Sequence, residues 1–207
     1  MKTLLIHLTV ALLAIQAADC ASPALNSVLP KGGQRDTEVE LTFSGDRLSD
    51  VEEIIFYRDG ITAKKLEVVD AKKVTATISV APDCPLGEHQ LRLRARSGIS
   101  HIRTFWVGQF PTLAETEPNN EFEAPQAIVP DHTVAGVLEN EDVDYFSIEA
   151  KKGERLTVEI EGMRLGNAFF DPYVAILNQE RFELVTSDDT SLLLQDSVAS
   201  IIVPEDG

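Results

Sequence analysis

Cysteine, tryptophan and long apolar runs are scarce in this sequence. Two cysteines and one tryptophan occur in 207 residues, so a disulfide framework is excluded and stability must come from apolar cores. After the first twenty residues no apolar stretch approaches the roughly 20 residues that a membrane-spanning helix needs. Catalytic motifs are missing as well. There is no Gly-x-Ser-x-Gly elbow, no His-Glu-x-x-His zinc motif and no phosphate loop. Beyond the N-terminal segment the histidines are His89, His101 and His132. His89 shares the parity of Leu91 and Leu93, which makes it a core-edge residue and not a base. These absences point away from an enzyme.

The chain opens MKTLLIHLTVALLAIQAADCASP. Lys2 followed by an apolar stretch from Leu4 to Ala17 and by small residues has the form of a secretory signal, assigned to residues 1–21 with cleavage between Ala17 and Ala21. Asp19 stands before Cys20, where a lipoprotein signal would want a small residue. The mature chain is expected to be secreted or held at the cell surface. Because Cys20 falls in the cleavage window, Cys84 is read as a free thiol in a turn.

The net charge of −16 is unevenly distributed. Residues 22–110 carry 12 basic and 12 acidic side chains, whereas residues 111–207 carry 5 and 21. All the net acidity lies in the second half. That disfavours nucleic acid as a partner and makes divalent cations plausible ones.

Both halves alternate with the period of two of half-buried antiparallel strands. In "TEVELTF" Val39, Leu41 and Phe43 share a face; in "KVTATISV" Val74, Ala76, Ile78 and Val80 do; in "HQLRLRARSG" Leu91, Leu93 and Ala95 do. Turn signals such as "PKGG", "RDG" and "APDCPLG" recur at sandwich spacing. The second half has the same grammar, most cleanly in "RLTVEIEG". The pattern predicts an all-β chain of two consecutive β-sandwich domains: residues 22–108, an acidic linker over 109–120, and residues 121–207.

The stretches "PALNSVLPKGGQRDTEVELTFSGDRL" and "APDCPLGEHQLRLRARSGISHIRTFWVG" resemble the immunoglobulin-like IPT/TIG domain of secreted bacterial proteins. The stretches "ETEPNNEFEAPQAI", "VAGVLENEDVDYFSIEAKKGERLTVEIE", "FFDPYVAILNQERFELVTSDD" and "PEDG" resemble the bacterial pre-peptidase C-terminal domain, a jelly-roll-like sandwich related to collagenase collagen-binding domains. In that family "DG" precedes a tyrosine-bearing final strand, so the second domain is expected to lack its last strand.

"ETEPNNEF", residues 115–122, concentrates oxygen ligands. Ca²⁺ takes six to eight of them, mixing carboxylates with amide or backbone carbonyls. "ENEDVDYF" offers a second group with Asp142 and Asp144, and Glu141 in reserve. The resemblance implies Glu115, Glu117, Asn119, Asn120, Asp142 and Asp144 as calcium ligands. The other reading is a solvated linker and a hairpin turn. An EF-hand is excluded, because Tyr145 would stand at the glycine position and Lys151 at the closing glutamate. Asp188 and Asp189 in "TSDDTS" read as a turn and, less readily, as a second cation site.

Arg92, Arg94 and Arg96 alternate along one strand at about 7 Å, with Arg103 expected on the next. Such a stripe is either a grip for an anionic polysaccharide or, the favoured reading, a solvated strand face. By resemblance the chain is a secreted, non-catalytic adhesion or substrate-targeting module acting on an extracellular polysaccharide or protein matrix. The alternative is the accessory front of a larger secreted peptidase or other hydrolase.

Overall fold

A computed structural model describes residues 21–138, 142–166 and 171–207. The expected signal up to Cys20, and Glu141 of the acidic turn, lie outside the described residues. The chain is all-β. Its strands are β1 (Ala24–Leu29), β2 (Gly32–Gln34), β3 (Glu38–Asp46), β4 (Val51–Phe56), β5 (Ile61–Val68), β6 (Lys73–Val80), β7 (Gly87–Ala95), β8 (Gly98–Ile99) and β9 (Arg103–Gly108). There follow β10 (Thr112–Ala114), β11 (Gln126–Ala127), β12 (Thr133–Ala135), β13 (Phe146–Ser147), β14 (Arg155–Glu159), β15 (Val174–Leu177), β16 (Glu183–Ser187) and β17 (Val198–Ile202). One 3-10 turn, Met163–Leu165, interrupts them.

The first nine strands form two sheets, ordered β1-β3-β6-β5 and β2-β9-β7-β4, with β8 hydrogen-bonded to β7. The apolar parity of the sequence fills the space between them. Leu41 and Phe43 of β3, Val74, Ala76, Ile78 and Val80 of β6, Leu91, Leu93 and Ala95 of β7 and Phe105 and Val107 of β9 form one buried cluster. Each large side chain in such a position contributes about 1.5–3 kcal/mol relative to exposure. Gly45 sits within β3, opposite Leu25 of β1. A Cβ there would run into the carbonyl oxygen of Ala24, so the close approach of β1 to β3 requires glycine.

Cys84 and His89 belong to this core. The thiol is free and fully buried, and burial pushes its pKa up. His89 is equally buried, with Nε2 2.7 Å from the carbonyl oxygen of Pro85 and 3.6 Å from Cys84 Sγ. A raised, enclosed thiol is a poor nucleophile.

Past residue 108 the ladders are short. β10 pairs β12 and β11 pairs β13, both parallel, while β14–β17 and β15–β16 are antiparallel. The segment expected to be an acidic linker thus carries a strand, because the "TLA" of β10 finds the "TVA" of β12 in register. A carboxylate organises the far end of this region. Asp196 is fully buried; its Oδ1 accepts from the amides of Gly162 and Met163, and its Oδ2 accepts from Arg164 Nε at 2.6 Å. Burial alone would raise its pKa, but the Arg164 guanidinium and the backbone amides prevail and hold it low. Arg164 also lies 5.3 Å over the ring of Trp106 on β9, and Thr104 of β9 donates to the carbonyl of Leu165. The 3-10 turn is thereby tied to the outer face of the first sandwich.

Candidate metal centre

Two acidic segments meet because the short strands beside them pair. The amide of Tyr145 donates to the carbonyl of Asn119 at 2.8 Å, and the amide of Gln126 donates to the carbonyl of Tyr145 at 2.9 Å. β11 and β13 continue that register. Phe122 and Tyr145 stack edge-to-face at 5.9 Å, and Arg181 caps both rings. Gln126 braces the first segment from its side: its Oε1 accepts from the amide of Thr116 and its Nε2 donates to the carbonyl of Ala114. "ETEPNNEF" and "DVDYF" are therefore clamped against each other by backbone and rings together.

The clamp brings carboxylates into contact. Oxygen atoms of Glu115, Glu117 and Asp144 all lie within 4.8 Å of one another. Asn119 is buried under them and donates from Nδ2 to Glu115 at 3.2 Å, while its backbone amide donates to Glu117 at 3.2 Å. Glu115 also accepts from the amide of Val137 at 2.9 Å. Asn120 is turned outward and donates to Asp142. Of the six residues named from the sequence, Glu115, Glu117, Asn119 and Asp144 line one nest. Asn120 and Asp142 stand as a bonded pair at its side.

The nest is over-supplied with acceptors. Asn119 Oδ1 and Asp144 Oδ1 are both buried with no hydrogen-bond partner among the described residues. Leaving such groups unpaired costs about 1–3 kcal/mol each. Burial, and after it the negative charges of Glu115, Asp142 and Glu117, push the Asp144 carboxyl up to about 6. A bound cation reverses that balance: it accepts lone pairs from the orphaned oxygens and offsets the repulsion. Carboxylates mixed with an amide oxygen suit Ca²⁺ better than Mg²⁺, which keeps its waters and demands octahedral regularity.

Gly136 was not visible from the sequence as part of this site. A Cβ at that position would collide with Glu115 Oε2, so the glycine is what allows the carboxylate to lie against the backbone of β12's exit. The glycine in "TVAGVL" carries no signal that distinguishes it from an ordinary strand end. Asp188 and Asp189 stay apart from any such cluster among the described residues. The carbonyl of Asp188 accepts from the Ser197 hydroxyl, and Thr190 Oγ1 accepts from the amide of Val198, which makes this stretch a braced turn.

The arginine stripe is divided by its partners. Arg94 pairs with Glu53 at 2.6 Å and with Glu52 at 3.1 Å, and Arg96 approaches Glu52 at 3.8 Å. Arg92 takes no such partner among the described residues and bonds at 3.3 Å to the carbonyl of Ser100.

No protein-family model and no curated protein matches the chain. Among solved structures, the chain is similar to the Bacteroides ovatus mixed-linkage glucan utilization locus protein SGBP-B, determined in complex with a mixed-linkage heptasaccharide. That match has 14% identity and a TM-score of 0.31, and covers 84% of this chain. It spans 44% of the other, so this chain corresponds to less than half of that structure's length. Similarity at this level leaves fold and function to be argued from the chain's own residues.

Proposed function

We propose that the chain is an exported, non-catalytic binding module whose acidic half is stiffened by calcium. In this reading an IPT/TIG-like sandwich precedes a domain similar to pre-peptidase C-terminal domains, and the pair serves adhesion or substrate targeting on an extracellular polysaccharide or protein matrix. The observation that supports calcium best is the pair of buried oxygens, Asn119 Oδ1 and Asp144 Oδ1, that find no hydrogen-bond partner among the described residues and lie beside three clustered carboxylates. Glu115, Glu117, Asn119 and Asp144 would hold the ion, with Asn120 and Asp142 alongside. The ion would supply charge neutralisation and cross-link the two clamped segments.

The non-catalytic reading rests on side-chain chemistry. His89 and Cys84 are enclosed in the core, and the carboxylate cluster includes no histidine or cysteine among the described residues. Melting the purified protein with and without millimolar calcium tests the metal. Binding should raise Tm by about 5 °C or more, given the linkage of ligand to the folded state. Asp144→Ala should remove the rise. A wild-type protein whose melting ignores millimolar calcium has no such site. Incubation with casein, gelatin and common glycans should leave all of them uncut.

A further inference from the structure

We propose that the cleft between β1, β7 and the β8–β9 connection binds the carboxylate or sulfate group of an acidic saccharide. The cleft measures about 770 Å³, within the range of roughly 300–1,000 Å³ common for small-molecule sites. Arg47, Arg92 and Arg103 converge on it, and no carboxylate lines it among the described residues. Each guanidinium is held by backbone carbonyls and not by a counter-charge. Arg47 Nε donates to Ser22 at 2.9 Å, Arg103 Nε to Asn26 at 2.9 Å, and Arg92 Nη1 to Ser100 at 3.3 Å.

Guanidinium has five donors in a rigid fork that matches carboxylate and sulfate oxygens. One or two carbonyl bonds per arginine leave most of that capacity without a protein partner among the described residues. Arg92 Nε is buried and has no hydrogen-bond partner among the described residues. None of the three arginines forms an ion pair among the described residues, whereas Arg94 on the same strand as Arg92, and Arg96 just past its end, do. The charge of Arg103 also reaches Lys31, whose pKa is lowered first by burial and then by that guanidinium. Within a half whose basic and acidic side chains balance, three arginines without an ion pair among the described residues make a local excess of positive charge.

The site is also built, not merely exposed. Ser100 is buried; its hydroxyl accepts from the amide of Leu93 at 2.9 Å and donates to the carbonyl of His101 at 2.9 Å, which fixes the wall that Arg92 leans on. The volume far exceeds a lone oxyanion. Ile99 and Ile102 are 48% and 38% exposed and give the cleft aliphatic surface for the C–H face of a sugar ring. The carbonyls of Ser22, Asn26 and Ser100 are already taken by arginines, so they offer no ladder to an extended acidic peptide.

This inference deepens the binding-module reading by naming a ligand class. Calorimetric titration of the full chain in chelator separates it from the calcium site. The probes are trigalacturonate, a sulfated disaccharide, neutral cellotriose, inorganic sulfate and triglutamate. At least one acidic saccharide should bind and cellotriose should not. Arg92→Gln should weaken binding at least tenfold at unchanged melting temperature, and Arg94→Gln should leave it alone. Arg47→Gln, on an exposed turn, gives a second reading should Arg92→Gln disturb the fold, and should weaken binding in the same direction.

Failure of both acidic saccharides to bind overturns the proposal, as does undiminished binding by the Arg47 and Arg92 variants. Sulfate or triglutamate binding as tightly as the saccharides also overturns it. Cleavage of a bound saccharide would leave the cleft standing and overturn the non-catalytic reading instead.

Discussion

Asp196 shows how much one carboxylate organises. It is fully buried, yet its two oxygens take the amides of Gly162, Met163 and Arg164 and the Arg164 guanidinium. Arg164 in turn reaches Glu159 at 2.7 Å and lies over Trp106. Removing one partner of a buried ion pair leaves the other uncompensated, at a cost of about 3–5 kcal/mol. Asp196→Ala should therefore destabilise the chain by about 3 kcal/mol or more in urea denaturation, while Asp188→Ala should cost less than about 0.5 kcal/mol. A small effect at Asp196 would mean that water replaces its partners. The sequence held no sign of this role, since "LQDS" looks like any acidic loop and its amide partners lie more than thirty residues away. The carboxylates of "ETEPNNEF" were legible for the opposite reason. Their crowding is local, and crowded carboxylates raise the question of a cation before any fold is known.

At the scale of elements, parity read the strands of the first sandwich well. β6 covers the eight residues of "KVTATISV", and Leu91, Leu93 and Ala95 of β7 point inward as their alternation requires. Alternation works there because both sheets bury one face against a shared core. It read the acidic region around the carboxylate nest less well. β10 to β13 are two or three residues long, too short for a period to show, and β10 fell inside the expected linker. Their pairing matters because it carries the nest. Gly136 follows β12, and a methyl group there would displace Glu115 from the Val137 amide. Gly136→Ala should therefore reduce the calcium-dependent rise in Tm by more than half while changing the calcium-free melting by less than about 1 kcal/mol. An unchanged calcium response would show that Glu115 is not needed for binding.

For the whole molecule, the division of charge visible in the sequence becomes a statement about pH. The first half is balanced and the acidic second half holds the two carboxyls that are pushed up. Glu161 rises to about 7 through burial and then through Glu159 and Asp196, with Arg164 opposing; Asp144 rises to about 6. A carboxyl held above its ordinary range keeps its proton in the folded chain where the unfolded chain has released it. Its contribution is full below the unfolded value and is lost as pH rises through the folded one. Asp196 is shifted the other way, so its contribution fades only at acidity below the ordinary carboxylate range. Between about pH 5 and pH 8 the first effect governs. In chelator, Tm should fall across that interval, and Glu161→Gln should flatten the fall because an amide needs no proton. Under the proposed calcium site, the ion should act in the opposite sense, since it would bind the ionised form of Asp144 and compete with its proton. The gap between the melting curves with and without calcium should therefore widen from about pH 5 to pH 8. A calcium-free profile that is flat or rising over this interval would mean that Glu161 and Asp144 titrate as ordinary surface carboxylates. A gap that stays constant with pH would place calcium away from Asp144.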